Sequence, residues 1–138
     1  MKEKKKHPTI KMVKLFSIAI VYKNPSTGKA TILAKAIDDD SFGFFQRKSA
    51  GEFLGFTSTM LAERTDRAAR QSVKQDEYMC HCHVRPDSLA GVVCSDSEYP
   101  QRVAHSLISK MLEDFAEKVT VSLLWLAGHL RGLEAGGL

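Results

Sequence analysis

The apolar residues of this chain recur with period two, then about 3.6, then two, then about 3.6 again, and that alternation fixes the order of its elements. Residues 13–22, VKLFSIAIVY, carry Val13, Leu15, Ser17, Ala19 and Val21 on one face and Phe16, Ile18, Ile20 and Tyr22 on the other. Both faces are mostly apolar, so this strand needs cover on both sides. Asn24-Pro25-Ser26-Thr27-Gly28 is turn chemistry, and residues 30–37 return as the second strand of an antiparallel hairpin. Three aspartates at 38–40 interrupt the pattern. Ser49-Ala50-Gly51-Glu52 then fits a capping box, in which Ser caps the third backbone N–H and Glu reaches back. The helix it starts is expected over 50–64, with Phe53, Phe56 and Met60 on one stripe and Leu54 and Leu61 on another. One stripe can pack a sheet while the other stays on offer.

Residues 71–74 read as a short strand. Residues 78–85 alternate cleanly: Tyr78, Cys80, Cys82 and Val84 against Met79, His81, His83 and Arg85. Arg85-Pro86-Asp87-Ser88 is a hairpin turn with Pro at its second position, and 89–95 return as a strand. Pro100 suits the first position of a helix. Val103, Ala104, Leu107, Ile108, Met111, Leu112, Phe115 and Val119 mark that helix as long and amphipathic. The order β-β-α-β-β-β-α predicts an α+β domain, an antiparallel sheet with helices on its faces.

Charge is concentrated at one end. Residues 1–14 hold six Lys and one Glu, a net +5, within a chain of +4, so the other 124 residues sum to −1. The basicity is a solvated arm, and a nucleic-acid surface on the body is not indicated. Three cysteines, two of them at 80 and 82, suit a reduced cytoplasmic protein better than a disulfide scaffold. The longest largely apolar stretch, 119–130, is shorter than the ~20 residues that span a bilayer.

No residue pattern points to catalysis. Cys80-His81-Cys82-His83 has metal-ligand chemistry, but strand alternation sends the two Cys and the two His to opposite faces, so four ligands cannot converge. The expected reading is two core Cys and two exposed His. Neither a phosphate-binding glycine loop nor a zincin or nucleophile-elbow motif is present in the sequence. Catalytic residues, metal and cofactor are therefore all expected to be none. The phenylalanines say more: five of seven fall between 42 and 56. Beyond core packing, they suggest an apolar groove beside the first helix that accepts a partner helix or a lipid chain.

Ser41-Phe42-Gly43-Phe44-Phe45-Gln46-Arg47, Glu52-Phe53 and Phe56-Thr57-Ser58 resemble the start of a longin domain. The likeness continues through Glu63-Arg64, Ser72-Val73-Lys74, Tyr78-Met79-Cys80-His81, Val84-Arg85, residues 87–93 and residues 98–104. Over 12–119 the chain is similar to the N-terminal longin domain of the lipid-anchored R-SNAREs, a synaptobrevin-homologue family bearing prenyl and palmitoyl groups. That resemblance implies a profilin-like fold, a five-stranded antiparallel sheet with one helix on one face and one or two on the other. It implies a regulatory and targeting module of vesicle transport and fusion at ER–Golgi and endosomal or vacuolar membranes, on their cytosolic face. Its partners would be SNARE proteins, an intramolecular SNARE helix, or a prenyl or acyl chain. The matching groove lies between the first helix and the third strand, with Phe42, Phe53, Phe56 and Met60 against Ser72 and Val73.

Residues 1–11 are the arm and 12–119 the domain. Residues 120–138 match neither a longin segment nor a SNARE motif, and no C-a-a-X box ends them. Their Leu123, Leu124, Trp125, Leu126 and Leu130 are expected to form a short final helix or to stay exposed. An alternative role is a longin-like structural subunit of a coat-adaptor or tethering complex.

Overall fold

The structure, a computed structural model, describes residues 14–38, 47–75 and 77–136. These residues form β1 (Leu15–Lys23), β2 (Ala30–Ile37), α1 (Arg47–Arg64), β3 (Arg70–Gln75), β4 (Tyr78–Val84), β5 (Leu89–Asp96) and α2 (Gln101–Gly136). The five strands make one antiparallel sheet in the order β2-β1-β5-β4-β3. Helix α1 packs one face and α2 the other, as the element order and the family likeness predict.

Local chemistry explains the hairpin. Asn24 Oδ1 accepts the backbone N–H groups of Ser26 and Thr27 at 2.8 and 3.3 Å. Gly28 closes the turn at φ 76°, a left-handed conformation that a side chain would strain. The hairpin is then fastened to the end of α1. Lys23 Nζ donates to the carbonyls of Glu63 and Thr65 at 3.1 and 2.6 Å, and the Ala30 N–H donates to Glu63 Oε2 at 2.9 Å. A lysine at a helix C-terminus satisfies carbonyls that lack intrahelical partners and complements the helix dipole.

Two features depart from simple alternation. The β1–β5 register slips between Leu15 and Ser17. The extra residue inverts the strand's start: Phe16 packs with Ala19 and Val21 beneath α1, and Leu15 packs with Ile20 beneath α2. The second concerns α2. At about 1.5 Å per residue its 36 residues extend ~54 Å, whereas the eight-residue β5 spans only ~27 Å. Ala104, Ile108 and Leu112 are fully buried against Val93 and Ile20. Past Phe115 the same stripe is exposed at Val119, Leu123 and Leu126. The helix crosses the 119/120 boundary without a break, so no separate final helix forms. The arm, and the side chains of Leu124, Trp125 and Leu130, lie outside the described residues.

Gly91 sets how closely α2 approaches. A Cβ there would lie 2.7 Å from Ile108 Cγ2 and 3.1 Å from Met111 Cε. Only a glycine lets the helix sit this near β5.

Candidate functional site

Helix α1 lies over β2, β1, β5 and β4, and hardly reaches the edge strand β3. Its buried stripe is Leu54, Thr57, Ser58, Leu61 and Ala62. Gly51 and Gly55 face β2, where a Cβ would meet Ile37 Cδ1 at 3.6 Å and Ile32 Cδ1 at 3.9 Å respectively. The helical turn therefore puts Phe53, Phe56 and Met60 on the opposite flank, toward β4 and β3. There Phe53 is 37% exposed and Phe56 67%, while Met60 is half-buried.

The floor beside this flank is aromatic and aliphatic. The Phe53 ring lies 6.3 Å from Tyr78, which makes an edge contact at 5.1 Å with Phe16. Val73 packs on the same side of the sheet and pairs in register with Cys80. An apolar row that the domain does not cover itself, beside a half-buried aromatic floor, can take up an apolar helix or chain.

Of the six groove residues expected from the sequence, the structure brings Phe53, Phe56, Met60 and Val73 to this side of the sheet. Phe42 lies outside the described residues. Ser72 does not belong to the set. Adjacent strand residues point to opposite faces, and its hydroxyl lies under α2, 2.7 Å from His81 Nδ1 and 3.1 Å from His105 Nε2. Tyr78 and Phe16 were missed. The alternation of 78–84 had already placed Tyr78 on the cysteine face, and that signal was enough to add it. Phe16 was hidden by the register slip.

Beneath α1 the three cysteines are free thiols in the core, fully or almost fully buried. The Cys80 and Cys94 sulfurs are 2.9 Å apart. Their hydrogen bond, with burial, pushes Cys80 far above its ordinary value, while the same bond holds Cys94 below its own. Burial pushes Cys82 up to about 11. Cys80 and Cys82, so raised, are protonated at neutral pH, and all three thiols are out of reach of solvent, which is the state of packing residues. Among the described residues no group of three or more His, Cys, Asp or Glu is placed to hold a metal ion.

The expectation of two exposed histidines is corrected. α2 covers that face, His81 is 0% exposed, and its ring meets His105 edge-on at 5.4 Å. His83 is half-buried, its Nδ1 3.3 Å from the Ala69 carbonyl oxygen. Among the described residues no helix is long and apolar enough to cross a membrane.

A family model described as the longin, regulated-SNARE-like domain matches residues 40–124. The protein named synaptobrevin homolog ykt6 of Schizosaccharomyces pombe is 44% identical over 106 residues, 77% of this chain and 53% of its own length. Synaptobrevin homolog YKT6 of Yarrowia lipolytica is 38% identical over 106 residues, 77% of this chain and 52% of its own. The protein of that name from Saccharomyces cerevisiae is 38% identical over 87 residues, 63% of this chain and 44% of its own. The chain thus spans about half the length of the curated relatives it matches.

Proposed function

The chain belongs to the longin family, and from that premise we propose that it is the regulatory and targeting domain of an R-SNARE of vesicle-mediated transport. In this reading it is a binding module without catalysis. Its α1–β3 groove holds a SNARE helix or the apolar chain of a lipid anchor, and so keeps the full-length protein closed. It works on the cytosolic face of Golgi, vesicle and endosomal or vacuolar membranes. The similarity to synaptobrevin homologues supports the vesicle-fusion context and does not favour an adaptor or tether subunit.

The observation that carries the groove is the exposure of Phe56 and Phe53 beside Met60 and Val73. Covering about 300 Å² of such surface is worth about 7 kcal/mol gross. Ordering the occupant offsets much of that, which leaves a few kcal/mol for a reversible switch. Titration of isotope-labelled protein with a prenyl-cysteine, or with a short alkyl-phosphocholine below its micelle concentration, tests the reading. Amide shifts are expected around residues 53–60, 73 and 78. A well-folded protein that shows no shifts there rejects the groove.

A further inference from the structure

The face opposite α1 carries a constellation that the groove does not use. Arg70, Gln101, Arg102, His105, Ser106 and Ser109 line a cleft of about 610 Å³ between α2 and the start of β3. Every one of these side chains is polar, and both full charges are positive. Among the described residues Arg70 and Arg102 have no carboxylate partner, whereas Arg85 has Asp87, and Lys110 has Glu113 and Asp114.

His105 supplies a second, independent sign. It is only 9% exposed, and its Nδ1 has no hydrogen-bond partner. A buried ring nitrogen without a partner is unusual in a native fold and marks a place for one. Its Nε2 is held by Ser72 Oγ, which also contacts His81 Nδ1. One hydroxyl has one proton, so it donates to one ring and accepts from the other. When it donates to His105 Nε2, Nδ1 carries the ring proton and is a free donor. In that tautomer the buried His105 Nδ1 adds a donor behind the guanidiniums of Arg70 and Arg102, and with no acid lining the cleft the set fits an oxygen-rich anion.

The rest of the charge distribution agrees. Outside residues 1–14 the chain sums to −1, yet these two arginines line one cleft and, among the described residues, have no carboxylate partner.

We propose that the cleft between α2 and β3 binds a phosphate monoester of a polyphosphorylated headgroup, through Arg70, Arg102 and His105. A phosphate monoester carries close to two negative charges and three acceptor oxygens. The cleft volume exceeds that of a lone phosphate ion and suits a ring-sized carrier. The same chemistry comes from a soluble inositol phosphate or from a phosphoinositide in a membrane, where basic clusters are drawn to anionic headgroups. The site is on the other face of the sheet from the groove, so it stands or falls independently of it.

Labelled protein is titrated with inorganic phosphate and with inositol trisphosphate, following the amides and the histidine ring nitrogens. Shifts are expected at residue 70 and across 101–109, larger and at lower concentration for the trisphosphate, with His105 Nδ1 fixed as the protonated nitrogen. R70Q and R102Q each weaken binding about tenfold, the loss of one charge-assisted contact, while K110Q leaves it unchanged. Shifts confined to the arm, shifts that survive in a well-folded double variant, or no shifts at all overturn the proposal. Vesicles of phosphatidylcholine with phosphatidylinositol bisphosphate, set against phosphatidylserine vesicles of equal charge, identify the source. Arginine-dependent preference for the former assigns a lipid headgroup. Binding of the soluble trisphosphate alone assigns a free phosphorylated ligand to the same site.

Discussion

The two faces of the sheet are sealed by different means. Under α1 the contact is mostly apolar: Leu54, Leu61 and Ala62 meet Ala19, Val21, Val92 and the three thiols, with the hydroxyls of Ser17, Thr57 and Ser58 buried among them. Under α2 an apolar line of Ala104, Ile108 and Leu112 lies beside a polar layer of Ser72, His81 and His105. α1, half as long as α2, packs across β2, β1, β5 and β4, whereas α2 packs most on β5 and β4 and runs on beyond the sheet. The comparison teaches where each face can vary. The α1 face is stabilised by residues other than its exposed row, so that row is free to serve a ligand. The α2 face carries ionisable groups within its contact, so its docking responds to charge.

The largest effects should come from the core of each face. Leu54→Ala and Ile108→Ala each remove a fully buried side chain, and each should cost about 2–5 kcal/mol in urea unfolding. Amide exchange distinguishes the faces. If α2 is the more separable element, Ile108→Ala speeds exchange in 101–115 more than in α1, while Leu54→Ala loosens the whole sheet. Equal loosening by both would erase the distinction. Gly91→Ala should follow at about 1–3 kcal/mol, because its Cβ would press on Ile108 and Met111. A variant as stable as the parent would mean that α2 shifts freely, which contradicts a tightly seated helix.

A smaller, conditional effect separates the faces by pH. His81 is held below its ordinary 6.5 by burial and then by the neighbouring His105. His105 is held below it by burial, then by Arg70 and His83. The unfolded chain therefore binds protons at a higher pH than the folded one. Stability is lost as the pH falls through about 6.5, and the loss continues until the lowered folded values are passed. Urea midpoints should drop between pH 7.5 and 5.5. His105→Gln, which keeps a hydrogen-bonding group near Ser72 without titrating, should flatten that drop. An unchanged slope would place the pH response elsewhere.

The sequence was most legible where one period governed an element. The period-two runs and the 3.6-residue stripes of α1 and α2 fell within a few residues of the observed bounds, and the likeness to a longin domain rested on the same segments. Legibility failed where a tertiary event overrode local pattern. The register slip at Leu15 and Ser17 reversed Phe16, which no count of alternation anticipates. His81 looked solvent-facing because nothing local announces that a second helix will cover its face. Ser72 was grouped with Val73 by adjacency, although neighbours on a strand point apart. The Arg70–His105 cleft joins residues 35 positions apart, and only the docking of α2 on the sheet brings them together.

Phe56→Glu gives the smallest change in stability and the sharpest test of the comparison. Phe56 is the most exposed aromatic side chain of the α1 flank, at 67%, so the fold spends little on it and the glutamate meets water. Unfolding free energy should move by no more than about 0.5 kcal/mol. Binding of an apolar chain should fall sharply, because a carboxylate in the row must be desolvated whenever an occupant covers it. The two readouts separate two roles for one residue. A lost cooperative transition would make Phe56 part of the core and end its assignment to the groove. Intact stability with undiminished binding would move the groove off α1 altogether. Intact stability with lost binding would leave the buried stripe of α1 as what holds the domain and its outer row as what the domain offers.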